Sequence, residues 1–122
     1  MSAPMRTQGR FDIAFLGHYT KDTIVLADKE KVVDGGAVNY GASVAVRMGL
    51  RTAIITKMAR EDFNVLEELH RMGVQLFRRE APESTQLRLV YPSSNLDDRV
   101  IYVTGFAGPF VTEDLDGVEA SV

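Results

Sequence analysis

The chain has 122 residues, of which 45% are hydrophobic, 25% charged and 8% aromatic, values that fit one globular domain or a piece of one. It has no cysteine, which excludes disulfide scaffolds, thiolate zinc sites and cysteine nucleophiles. A net charge of −3 offers nucleic acid no bulk attraction, and no apolar run approaches the ~20 residues of a membrane-spanning helix.

Residues 1–10 mix Pro, Gly, Ser, Arg and Gln without periodicity and are expected to form a disordered tail. They contain no apolar core of a secretory leader, so a soluble cytoplasmic protein is expected. Phe11 to Leu16 is a short apolar run closed by Gly17, the pattern of a buried strand. Residues 23–33 have β-branched ends around Asp28 to Glu30 and predict two extended stretches joined by a turn. After Gly35-Gly36, the apolar positions Val38, Ala42, Ala45 and Val46 recur at helical spacing as far as Gly49.

Arg51 to Lys57 predicts a second strand, and Asp62 can cap a second helix with Val65, Leu66, Leu69 and Met72 inside. Val74 to Phe77 predicts a third strand. Alternating strand and helix implies a parallel sheet with crossover helices. Residues 86–91 and 99–104 are β-rich runs separated by turn residues, which is hairpin grammar. With 23–33 they form an antiparallel element folded back beside the α/β layer, a common cover for a site. A short helix over 112–119, capped by Thr112, is weakened by Gly117.

Two segments carry candidate chemistry. Asp22 stands just beyond the first strand, where α/β proteins place ligand contacts. A carboxylate there accepts hydrogen bonds from two ligand hydroxyls, or it caps a turn. Gly35 and Gly36 let the backbone approach a ligand at the start of a helix, or they form a structural turn before a core helix. The segment matches neither a dinucleotide nor a P-loop fingerprint. His18 and His70 lie far apart in sequence, and His70 reads as a surface helix residue. Arg78-Arg79 reads as a solvated strand edge, and Lys57, Arg60, Glu61 and Asp62 as a polar loop. No catalytic pair and no metal ligand set stands out.

Taken together, these pieces resemble the PfkB carbohydrate kinase, or ribokinase-like, family from about Phe11 to Leu115. The matches are the Gly17 turn followed by Asp22, and Gly35-Gly36 before a small-residue helix ending in Arg-Met-Gly-Leu at 47–50. Ala-Arg-Glu-Asp-Phe at 59–63, Leu66 to Val74, a hairpin, and Val-Thr-Glu-Asp-Leu at 111–115 follow in the family's order. The resemblance implies a Rossmann-like parallel sheet with flanking helices plus a small antiparallel β-sheet lid, truncated, over 11–122.

It further implies that Asp22 binds substrate hydroxyls, that Gly35 and Gly36 line the pocket, and that Thr20 adds a polar contact. The family often has Asn four places after the second glycine. Tyr40 stands there, with Asn39 one place earlier, and Ala59 and Asn64 replace two further glycines. The resemblance leaves a sugar, nucleoside or polyol acceptor open and implies that ATP and Mg2+ serve the full-length enzyme. The family's catalytic aspartate and glycine-rich anion hole have no counterpart in residues 1–122, so the chain alone is expected to be inactive and to bind neither cofactor. A homo-oligomer through lid strands is expected. The alternatives are a non-catalytic binding or oligomerisation module on the same half-fold, and an unrelated small α/β domain.

Overall fold

The structure, a computed structural model, describes residues 10–122. The expected tail over 1–10 therefore lies outside the described residues except for Arg10, which opens a strand. The strands are β1 (Arg10–Phe11), β2 (Ile13–Leu16), β3 (Thr20–Leu26), β4 (Lys29–Gly35), β5 (Thr52–Met58), β6 (Gln75–Glu80), β7 (Thr85–Tyr91), β8 (Val100–Gly105) and β9 (Glu119–Ala120). The helices are α1 (Ala37–Arg47) and α2 (Glu67–Arg71), with 3-10 turns at Arg60–Leu66 and Thr112–Leu115.

A parallel sheet has the order β2-β5-β6. Its central strand β5 has neighbours on both sides and is buried except at Lys57, which is why its sequence runs apolar instead of alternating. Against it pack α1, through Val38 and Ala42, and the second helical segment, through Leu66 and, within α2, Leu69. These residues share a core with Tyr19, Ile54, Met58 and Val74. The last turn of α1 closes through Gly49, with Leu50 N–H donating to the Ala45 carbonyl at 3.1 Å.

The lid is a second sheet of order β4-β3-β7-β8. Both outer pairs are antiparallel, as expected from the hairpin signals, whereas the central pair β3–β7 is parallel. Both strands of that pair leave the main body in the same direction, one after β2 and one after β6.

Three local expectations need correction. The first strand is broken at Asp12, whose side chain accepts from Arg51 N–H at 2.7 Å. The second helix is a 3-10 turn followed by one α turn, because Asp62 does not cap it. Its carboxylate is taken by Ser84 and Lys21 instead. The segment 112–119 forms only a 3-10 turn with Val111 at its start, and β9 then pairs in parallel with β1.

Candidate functional site at the lid root

The lid meets the main sheet just past the C-terminal end of β2. Strand register places Thr20 opposite Gly35 and Asp22 opposite Val33. Side chains alternate along a strand, so Thr20 and Asp22 share one face of β3 while Lys21 takes the other. A β-carbon on Gly35 would overlap Asp22 Oδ2 and lie 2.8 Å from Thr20 Oγ1. Gly36 adopts a φ of +108°, which disfavours any side chain, and its β-carbon would lie 2.6 Å from the His18 carbonyl oxygen.

The glycine pair leads directly into α1. Asn39 Nδ2 donates to the Gly35 carbonyl at 2.7 Å and so fixes the turn. Asp22 Oδ1 and Asn39 Oδ1 are both buried and have no hydrogen-bond partner among the described residues. Leaving a buried acceptor unpaired costs about 1–3 kcal/mol, more for a charged group. The structure thus brings Thr20, Asp22, Gly35, Gly36 and Asn39 together. Tyr40 is 67% exposed and stands apart, since successive helical residues point about 100° away from each other.

Buried polar contacts hold this constellation. Tyr19 is fully buried, with its N–H donating to Thr56 Oγ1 at 2.7 Å and its hydroxyl to Asp34 Oδ1 at 2.5 Å. Burial, reinforced by the Asp34 carboxylate, pushes the phenol pKa well above its usual value. Lys21 Nζ lies 3.0 Å from Asp62 Oδ1, and Ser84 Oγ donates to Asp62 Oδ2 at 2.6 Å. Burial opposes the Asp62 charge, but the Ser84 hydroxyl and the Lys21 ammonium outweigh it and hold the pKa below the usual carboxylate value.

A second tie lies nearby. Lys57 Nζ lies 3.2 Å from Asp114 Oδ2 and donates to the Pro109 carbonyl at 2.8 Å. The Val111 N–H, then Lys57 and Arg79, keep the Asp114 pKa low despite some desolvation. His18 Nε2 lies 2.7 Å from the Gly108 carbonyl oxygen, with its ring against Phe106 and Phe110.

Several of these residues are not what the sequence suggests. Lys57 and Asp62 form internal ion pairs and not a solvated loop. Arg79 is no free edge residue, because its guanidinium donates to the carbonyls of Asp114 and Asp116. Arg78 packs toward Glu67. His70 is exposed on α2, as expected. Lys21 and Ser84 were missed; β3 reads four polar residues and then three apolar ones, so no alternation in its sequence marked Lys21 as facing away from Asp22.

Among the described residues no cluster of three or more His, Asp or Glu side chains could hold a metal ion. The sequence also has no Gly-Ala-Gly-Asp-like segment to cradle a γ-phosphate.

A parallel sheet bearing a small strand lid is the ribokinase-like arrangement. Comparison with solved structures agrees. The chain is 33% identical to a pyrophosphate-dependent kinase in the ribokinase family, seen as a sulfate complex, with a TM-score of 0.79 over 88% of this chain and 38% of that one. It is 30% identical to a pyrophosphate-dependent kinase of the same family complexed with a pyrophosphate analog and myo-inositol, with a TM-score of 0.77 over 88% of this chain and 36% of that one.

Ribokinase from Cryptococcus neoformans in complex with ADP shares the fold at 14% identity and a TM-score of 0.61, over 80% of this chain and 34% of that one. No family model matches the sequence, and no curated protein does. The chain has the ribokinase-like fold, is similar to kinases of the ribokinase family over 88% of its own length, and spans about 38% of the length of the first of these structures.

Proposed function

We propose that this chain is the acceptor-binding and lid portion of a ribokinase-type kinase, and that its acceptor is a cyclic polyol of the myo-inositol kind. The carrying observation is Asp22: its Oδ2 fills the space above Gly35, while its Oδ1 is buried without a donor. A ligand hydroxyl supplies the missing donor, and a polyol with adjacent hydroxyls can serve both oxygens of one carboxylate. Asn39 Oδ1 is a second acceptor at the same turn. Thr20 offers a hydroxyl on the face it shares with Asp22, and Gly35 leaves the room that these two side chains occupy. Tyr40 takes no part in this site. The choice of polyol is supported by a relative at 30% identity that was complexed with myo-inositol.

In the whole enzyme the acceptor hydroxyl receives a phosphoryl group from ATP or pyrophosphate, and residues beyond this chain supply the base and the anion cradle. Two relatives at 30–33% identity are pyrophosphate-dependent, which supports that donor over the ATP expected from sequence. The reading keeps a cytoplasmic location. No helix among the described residues is long and apolar enough to cross a membrane.

The test is an acceptor panel. The chain is titrated with myo-inositol, ribose and adenosine, then assayed for phosphoryl transfer from ATP and from pyrophosphate. Binding of myo-inositol in preference to the other two, without transfer from either donor, is expected. Preference for the nucleoside, or turnover by the chain alone, overturns the reading.

A second reading, association through the lid, rests on β8. That strand is an edge of the lid and exposes Ile101, Tyr102 and Val103 at 48%, 53% and 67%. An unpaired edge with apolar residues on both faces suits pairing with a second copy about a two-fold axis.

A further inference from the structure

We propose that Asp62 is a positioning residue: through Lys21 and Ser84 it fixes the lid so that Thr20 and Asp22 face Gly35. The proposal rests on the acceptor-binding reading for its consequence, but its geometry stands on its own.

One carboxylate reaches the roots of both central lid strands. Lys21 is the second residue of β3, and its Nζ lies 3.0 Å from Asp62 Oδ1. Ser84 immediately precedes β7, and its Oγ donates to Asp62 Oδ2 at 2.6 Å while accepting from Ala59 N–H at 2.9 Å. Asp62 and Ala59 follow β5, so these bonds join the lid to the central strand of the main sheet. Ser84, Ala59 and Asp62 are 2%, 4% and 8% exposed, so water does not compete effectively for the Ser84 bonds, whereas the Lys21 side chain is 34% exposed and its ion pair is partly screened.

Strand alternation turns this anchor into an orienting device. Lys21 and Asp22 are consecutive, so holding Lys21 against Asp62 turns Asp22 to the opposite face. Rotation of β3 about its axis would carry the Asp22 carboxylate away from Gly35 and Asn39. A small misplacement of a binding group costs far more than its distance suggests, up to about a hundredfold where geometry is demanding. Asp62 touches no proposed ligand position and acts only through Lys21 and Ser84.

The absence of native cysteine allows clean spin labelling. Exposed Lys31 on β4 and His70 on α2 are replaced as Lys31→Cys and His70→Cys, and the distance between the labels is measured by pulsed electron resonance. Asp62→Asn, Lys21→Met and Lys21→Arg are compared in this background, and each is also titrated with myo-inositol.

The expected result is one narrow distance distribution in the parent, broadened by Asp62→Asn and Lys21→Met and restored by Lys21→Arg. Myo-inositol affinity should fall about tenfold or more in the first two and return in the third. An unchanged distribution in folded Asp62→Asn and Lys21→Met overturns the proposal, whatever the ligand data show. If Asp62→Asn fails to fold, Lys21→Met decides alone. If the parent binds no polyol, the acceptor reading falls, and the label distances still judge the anchor.

Discussion

The carboxylate of Asp22 occupies the space that a β-carbon on Gly35 would need, although the two residues are separated by a complete hairpin. Register pairing of β3 with β4 creates this contact, because Thr20 stands opposite Gly35 and Asp22 two residues further along the same face. A polar face is thereby built over bare backbone beside the N-terminus of α1.

Gly35→Ala should push the carboxylate aside and abolish measurable polyol binding. The added methyl also meets Thr20 Oγ1 at 2.8 Å, so overpacking should cost about 1–3 kcal/mol of stability. A thermal melt and a ligand titration on the same sample separate the two effects: a folded variant that still binds normally contradicts the proposed pocket.

Tyr19→Phe removes a buried hydroxyl that donates to Asp34. Asp34 is itself exposed and can be rehydrated, so the loss should be modest, about 1 kcal/mol, with the fold intact. Chemical denaturation followed by circular dichroism checks this. A loss several times larger would mean that the Tyr19 hydroxyl anchors more than this one bond.

Acid should weaken the lid root. Asp62 and Asp114 titrate lower in the folded chain than the ordinary value of 3.8, so between the folded and unfolded values the unfolded chain binds more protons. Their contribution is therefore fully present above pH 3.8 and is lost as pH falls through the folded values. Stability measured from pH 6 downward should drop below about pH 4, and Asp62→Asn should flatten that slope. A slope that Asp62→Asn leaves unchanged would assign the acid sensitivity to other carboxyls.

Association through the lid predicts a dimeric mass by light scattering at about 100 μM, well above the micromolar range of ordinary specific contacts. Ile101→Lys puts a charge on the exposed β8 edge and should return the chain to a monomer. A dimer that survives this change lies elsewhere on the molecule.

Much of this architecture was legible because its signals are local. The helical recurrence of Val38, Ala42 and Ala45, the apolar run of β5, and the turn residues between β7 and β8 each act over a few neighbours. The sequence singled out Asp22, Gly35 and Gly36 but left a turn cap and a structural turn open for them, and the register of β3 on β4 that brings them together was not legible. The parallel pairing of β3 with β7 was not legible, because β-branched residues suit either strand direction. Nor were the roles of Asp62, Lys57 and Arg79. A charged residue in a polar stretch reads as solvated until its partner, which lies 41 residues away from Asp62 at Lys21 and 57 away from Lys57 at Asp114, is brought to it by the fold.

The central claim is that Asp22 holds acceptor hydroxyls, and calorimetric titration of myo-inositol into the chain and its Asp22→Asn variant tests it most directly. Asn keeps the shape but loses the charge and one acceptor, so binding should weaken by about tenfold or more without loss of fold. Equal affinity in the two folded proteins would contradict the account.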